Sequence, residues 1–370
     1  MGTSLIEHPS VGEVTRLSLA DALALGPDVW ANLSTASTSP FMSWAWHRAW
    51  ADAAPQTEVH ASQVLVLAGP GEERGVLALL PIRARRVVFR RVPVRAVTWA
   101  VGDLGCPDHL DVLAAPDADL GALVPVLEAI PWQVLILSNL AEESPNADRL
   151  CRALARRGHV PRRAALWGCP RLELPATWDA YLAGLSANRR QIVRRKERGL
   201  ARQHRVALTD YGESRFDEGW EHLVRLHGER WEGEGGGAFT DPTALTLQRA
   251  FGREMARQGR LWLTTLDVDG EAAAAWYGFA TGDTVSFYQG GRARRWEAES
   301  LGLVLMGAMI RRAIERGYAW FDFLRGEDGY KTQWTATRRH TSEIVVFRSG
   351  WRGGWVRALD WVARGTRGHG

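Results

Sequence analysis

One order of elements occurs twice along the chain, and this repetition limits the fold more than any single motif does. In the second half, 261–266 and 271–280 read as strands joined through Asp269-Gly270, a dipeptide suited to the positive φ angles of a tight hairpin. Thr281-Gly282-Asp283 then turns the chain into a third strand, 284–289. Ser300 stands where it can cap a helix that runs to about Arg316 and stops at Gly317. The aromatic run 319–324 reads as an interior strand, and 343–347 as a later one. In the first half, strand candidates at 59–67, 75–82 and 92–100 precede a helix near 120–129 and an apolar strand at 134–137. Two copies of strand, strand, strand, helix, strand predict a duplicated α+β fold. The boundary is expected between about Glu173 and Trp178, where Pro175 interrupts the chain, giving domains 1–174 and 175–370.

Length agrees, since 370 residues suffice for about two domains. Hydrophobic residues at 46% and 18 tryptophans exclude a disordered chain and supply a sizeable core. The net charge is only +4 and gives no general argument for nucleic acid, so basic patches are judged singly. Only Lys196 and Lys331 are lysines; every other cation is arginine. Cys106, Cys151 and Cys169 are widely spaced, with no CxxC and no His pair at zinc spacing, so neither a disulfide framework nor a metal site is expected. Residues 1–9 lack the pattern of a secretory signal, and the apolar stretch 122–137 is interrupted by Pro125, Glu128, Pro131 and Gln133. A cytoplasmic protein without a membrane span is the expectation.

The helix at 300–316 is apolar around most of its circumference and is expected to be buried. Between the two copies lies a helical insert near 186–202, which Ser186 can cap. Arg190, Arg194, Arg198 and Arg202 recur along it at i,i+4. Such a stripe reads as a solvated face, or as a phosphate-binding one, because like charges at this spacing repel by roughly 0.2–0.5 kcal/mol per pair.

No nucleophile elbow, Walker loop, HExxH or dinucleotide fingerprint is present. What remains is a strand, a loop rich in Gly and Arg, and a helix start, from Tyr288-Gln289-Gly290-Gly291-Arg292 to Ser300-Leu301-Gly302. Unsatisfied N–H groups at a helix start attract anions, and glycine lets backbone approach them. Gln289, Gly290, Arg292, Ser300, Leu301 and Gly302 are therefore candidates for holding a phosphate-bearing donor.

The meander, the buried helix and the run from Phe321-Asp322-Phe323-Leu324-Arg325-Gly326 to Tyr330-Lys331-Thr332-Gln333-Trp334 resemble the GCN5-related N-acetyltransferase (GNAT) superfamily. They resemble more closely its cellulose-biosynthesis-associated acetyltransferase branch. Pro40-Phe41 with Trp44, Trp46 and Trp50, Asp108-His109-Leu110-Asp111, and 186–200 match the same branch. The resemblance implies tandem GNAT folds, each a mostly antiparallel sheet flanked by helices, with acetyl-CoA or another acyl-CoA as donor and no metal. Of the superfamily's pyrophosphate-loop pattern only Gly302 stands here, so the related Fem-type transferases, double GNAT proteins that take an aminoacyl group from tRNA, supply an alternative.

Acyl transfer to an amine needs a proton acceptor and donors for the intermediate and the leaving thiolate. Asp322 shares a strand face with Trp320 and Leu324, where desolvation would raise its pKa toward that of a general base; pairing with Arg325 or Lys331 is the plainer reading. Tyr330 is a candidate proton donor, and Lys331 a candidate for contacting the acceptor or the intermediate. Trp44, Trp46, Asp103, His109, Asp111 and Arg325 are candidates for lining an acceptor pocket, with core packing as the alternative for the tryptophans. The sequence thus predicts acyl transfer from acyl-CoA to a small-molecule or peptide amine by direct attack. Aminoacyl-tRNA-dependent transfer, or a non-catalytic role in exopolysaccharide or cell-envelope assembly, is the alternative.

Overall fold

The computed structural model describes residues 12–34, 39–70, 75–232, 239–326 and 329–365; the first residues of the chain, and Glu327 and Asp328, lie outside the described residues. The strands are β1 (Glu13–Ser18), β2 (Ser62–Ala68), β3 (Val76–Phe89), β4 (Val92–Trp99), β5 (Leu113–Ala114), β6 (Val134–Leu140) and β7 (Val160–Glu173). They continue with β8 (Val206–Asp210), β9 (Leu261–Val268), β10 (Glu271–Thr281), β11 (Thr284–Arg292), β12 (Trp320–Asp322) and β13 (Arg338–Phe347). All belong to one 13-stranded sheet in the order β1-β2-β3-β4-β6-β13-β7-β12-β11-β10-β9-β8, with β5 on β3. The α+β class and the mostly antiparallel pairing are as expected.

The repeated order of elements has a structural counterpart. In the first half β4 pairs in parallel with β6, from Ala96↔Val134 to Thr98↔Ile136, and the helix Leu123–Ala129 lies between them in sequence. In the second half β11 pairs in parallel with β12, from Thr284↔Trp320 to Ser286↔Asp322, across the helix Leu301–Glu315. A parallel neighbour requires such a crossover, whereas the meander β9-β10-β11 needs only hairpins. Asp269 and Gly270 take φ values of 55° and 94° in one of these, as the dipeptide predicts. Arg90 and Arg91, at φ 50° and 67°, make the β3–β4 turn without glycine, and carry β3 to Phe89 rather than to 82. At 59–61 the expected strand is instead the end of a helix, Gln56–Ala61, and β2 starts at Ser62.

The two halves are interleaved in the sheet. β13, from the C-terminal part of the chain, lies between β6 and β7 and is antiparallel to both. β7 is 14 residues long and pairs with β13 over Val160–Pro170, then with β12 over Arg171–Glu173. A large apolar cluster covers one side of both halves: Trp46 of the helix Trp44–Ala53 meets Phe251 of the helix Pro242–Arg257 edge-on at 5.0 Å. A second cluster holds Leu305, Met309 and Ile310 of the helix Leu301–Glu315 against Trp276 and Phe321, which buries that helix as its apolar circumference predicts.

Candidate active site

The parallel seam between β11 and β12 is only three residues long. Beyond Ser286 and Asp322 the strands part, because β11 continues to Arg292 while the chain after Asp322 turns away through Leu324 at φ 55° and Gly326 at φ 103°. Near this parting lies a cavity of about 360 Å³. Its floor is aromatic and apolar (Trp276, Phe287, Met306, Trp334), while Arg189, Arg230 and Arg292 bring cationic side chains to its wall.

Five of the six expected donor-binding residues line this cavity: Gln289, Gly290, Arg292, Ser300 and Gly302. Leu301, the sixth, is fully buried in the core beneath and does not reach it. Ser300 occupies the N-cap position but its side chain does not cap the helix; its backbone is left-handed (φ 59°, ψ 45°), a conformation that costs a non-glycine residue about 1–2 kcal/mol. The Ser300 carbonyl accepts from the N–H groups of Leu303 and Val304, and the first N–H groups of the helix have no side-chain cap. Gly290 and Gly291 have another use than approach to an anion. A Cβ at Gly291 would stand 2.3 Å from the backbone of Leu226 and His227, so the residue is glycine because the helix Phe216–Trp231 crosses β11 there. At Gly302 the nearest atom to a Cβ would be Cδ of Arg292 at 3.9 Å, and a side chain is sterically admitted.

The helix Ala187–Gln203 is capped by Ser186, whose Oγ accepts from the Arg189 N–H at 3.2 Å. It presents to the cavity Arg189, stacked 4.7 Å over the Trp334 ring, and none of the predicted stripe. Arg190 donates to the carbonyls of Leu182 and Ala183, Arg194 lies 3.6 Å from Asp179, Arg198 donates to the Arg194 carbonyl, and Arg202 is exposed. Arg189 and Trp334 were present in the matching segments, but their convergence needs the fold. Arg230 and Trp231, from a helix between the recognised elements, carried no signal.

Asp322 does not have the environment of a general base. It is fully buried, and burial alone would raise its pKa; the charges of His109 and Arg339, with hydrogen bonds from His109 and the Leu324 N–H, outweigh that and hold the carboxyl below the usual carboxylate range. His109 Nε2 lies 3.3 Å and Arg339 Nη2 2.5 Å from Asp322 Oδ2, and the Leu324 N–H donates to Oδ1 at 2.7 Å. The residue is paired, as the plainer reading held, but with neither Arg325 nor Lys331. Arg325 instead grips the buried Asp108, its Nε donating to Oδ1 at 2.6 Å and its backbone N–H to Oδ2 at 2.9 Å. It thereby ties the loop after β12 to the first half, and is not placed as a pocket residue.

Lys331 is also corrected. It is buried, and Nζ donates to the Arg325 carbonyl at 2.7 Å; Lys196 donates to the Ala298 carbonyl at the same distance. Both lysines therefore fasten loops beside the cavity, a task suited to a compact ammonium. Tyr330 stays accessible at 46% exposure, on the cavity wall and edge-on to Phe287 at 6.5 Å.

The first-half candidates separate. Trp46 is fully buried against Phe41 and Phe251, a core residue of the kind whose truncation costs about 3–5 kcal/mol. Trp44 is half-buried, its indole N–H donating to the Leu23 carbonyl at 2.9 Å, on a groove far along the helix pair 44–53 and 242–257. Asp111 accepts from the N–H groups of Val112, Asn146 and Ala147, capping the helix Pro145–Arg156 rather than lining a pocket. Asp103 accepts from Asn139 at 2.7 Å and lines a separate groove of about 350 Å³ over β3, β4 and β6. His109, at φ 58°, is buried beside Asp322, where the two halves meet. Among the described residues no group of three His, Cys, Asp or Glu side chains is placed to hold a metal ion, and no helix is long and apolar enough to cross a membrane.

Residues 187–332 match the family model of an acetyltransferase (GNAT) domain. That segment holds the meander, the buried helix, the parted seam and all of the cavity lining except Gln333 and Trp334, which follow it directly. Three solved structures have the same fold over most of the chain. One is the C-terminal domain of a putative lysylphosphatidylglycerol synthetase from Agrobacterium fabrum: 11% identity, TM-score 0.54, covering 92% of this chain and 95% of that one. A conserved protein of unknown function from Bacteroides thetaiotaomicron has 12% identity and TM-score 0.53, covering 91% of this chain and all (100%) of that one. FemX has 10% identity and TM-score 0.52, covering 90% and 96%. No curated protein matches the chain in sequence. Residues 187–332 are thus similar to a GNAT acetyltransferase domain, and over most of its length the chain shares its fold with these three structures, FemX among them.

Proposed function

We propose that the chain transfers an acyl group from acyl-CoA, with acetyl as the first choice, to a small-molecule or peptide amine by direct attack, and that the cavity beside β11 holds the donor. The observation that carries this reading is the combination at the parted seam: an uncapped helix start and three arginines for phosphates, an apolar floor for a pantetheine-like arm, and an unpaired edge of β11 beyond Ser286. Gln289, Gly290, Arg292, Ser300 and Gly302 would bind the donor, joined by Arg189 and Arg230. In the transfer the amine nitrogen bonds to the carbonyl carbon, the carbon–sulfur bond breaks, Tyr330 gives its phenolic proton to the sulfur and regains one from water, and the amine proton passes to water. Asp322 has no proton to move; with His109, Arg339, Arg325 and Lys331 it holds the wall in place.

Transfer from aminoacyl-tRNA is the second reading. It is favoured by the arginines that continue from Arg189 along the exposed face of the helix Ala187–Gln203, and it agrees with the folds of FemX and the lysylphosphatidylglycerol synthetase domain. The test is calorimetric binding of acetyl-CoA, a long-chain acyl-CoA and a charged tRNA to the folded protein. Acyl-CoA binding weakened more than tenfold, about 1.4 kcal/mol, by Gly302→Glu is expected. Tight tRNA binding without acyl-CoA binding establishes the second reading, and binding of neither donor leaves a non-catalytic module.

A further inference from the structure

The C-terminal helix Trp351–Gly365 is held to the protein by one face only. Gly353 packs where a Cβ would lie 2.1 Å from the Arg348 carbonyl, and Val356 enters a small core with Val94, Val134, Val345 and Phe347. Asp360 is fully buried among Arg90 of the β3–β4 turn, Arg162 of β7 and Arg364. These three residues stand at 353, 356 and 360, and the opposite face carries Trp351, Trp355, Ala358 and Val362 at i, i+4, i+7 and i+11. Trp351 is 79%, Trp361 73% and Val362 55% exposed. Trp351 and Val362 belong to that face and Trp361 flanks it about a quarter turn round the helix, and large apolar side chains so far out of the core mark a contact surface.

Charge decides what the contact is. Asp360 is the sole acid of this helix and points inward, whereas Arg352 and Arg357 are exposed beside the tryptophans. The hairpin that Arg90 joins to the helix adds exposed Arg86, Arg91 and Arg95 and exposed Val88, and 83–95 contains no acid. A second copy would set this cationic face against itself. An anionic bilayer surface complements it: tryptophan sits at the headgroup level, and arginine pairs with lipid phosphates. At about 1.5 Å per residue a 15-residue helix spans less than the ~30 Å hydrocarbon core, so it lies on the surface.

We propose that the helix Trp351–Gly365, with the adjoining β3–β4 hairpin, docks the protein onto an anionic lipid bilayer. The full chain is sedimented with vesicles of phosphatidylcholine alone and of about three parts phosphatidylcholine to one of phosphatidylglycerol. Binding to the anionic vesicles is expected, with partitioning lowered about tenfold on the neutral ones, by Trp351→Ser with Trp361→Ser, and by Arg352→Gln with Arg357→Gln. All four side chains are exposed, so thermal melts of the variants should match the parent. Absence of sedimentation, or undiminished binding by both pairs, overturns the proposal. So does a dimer in light scattering that the tryptophan pair dissociates, since the face would then be covered by a second copy.

Discussion

The carboxylate of Asp322 on β12 and the guanidinium of Arg339 on β13 meet at 2.5 Å across the intervening strand β7, where Asp322 stands opposite Arg171 and Arg339 opposite Cys169. This pair joins the strand that opens the cavity to the strand inserted in the first half. It has Asp322 as a structural anchor, not a base.

Asp322→Asn keeps the shape and removes the charge that compensates Arg339 beside His109. Leaving one partner of a buried ion pair uncompensated costs about 3–5 kcal/mol. Thermal melts should show a large loss of stability, while turnover per folded molecule stays near that of the parent. A hundredfold loss of turnover in a variant with an unchanged melting temperature would restore Asp322 as the base.

Arg189 and the stripe behind it distinguish the donors. Arg189→Gln should weaken acyl-CoA binding about tenfold with a shallow dependence on salt, and Arg190, Arg194 and Arg198 changed together to Gln should leave that binding alone. Binding of charged tRNA that falls steeply with salt, and is lost in the triple variant, would show the exposed stripe to be the phosphate contact.

Two buried histidines set the response to acid. Burial lowers the pKa of His47 to about 4, against a hydrogen bond with the Ser43 carbonyl that works to raise it. It lowers His227, behind Gly291, also to about 4, against a bond with Gln289 and aided by the Arg230 charge. With both depressed below 6.5, the unfolded chain binds more protons between pH 6.5 and 4. Their stabilisation is complete above 6.5 and is lost as the pH falls through 4, on the order of 3 kcal/mol for each. Denaturant titrations at pH 7, 5.5 and 4.5 should show stability falling at each step. Equal stability at the three values would mean that neither imidazole is held neutral.

The local order of elements and part of the lining of the cavity beside β11 are legible in the sequence. Asp269-Gly270 and the apolar helix after Ser300 predicted their elements through backbone conformation and side-chain periodicity, which are properties of neighbours in the chain. The Gly- and Arg-rich stretch 289–292 with Ser300 and Gly302 marked one wall of the cavity for the same reason. Tertiary structure alone decided what the charged and aromatic residues do. Asp322 pairs with Arg339 because β13 crosses into the other half of the sheet, Lys331 finds a carbonyl six residues back through a loop, and Asp111 caps a helix whose start lies 34 residues away at Pro145. Trp46 is core because a helix two hundred residues later covers it. Burial, partner and pKa depend on atoms brought together from distant parts of the chain, and no periodicity or spacing within a segment contains them.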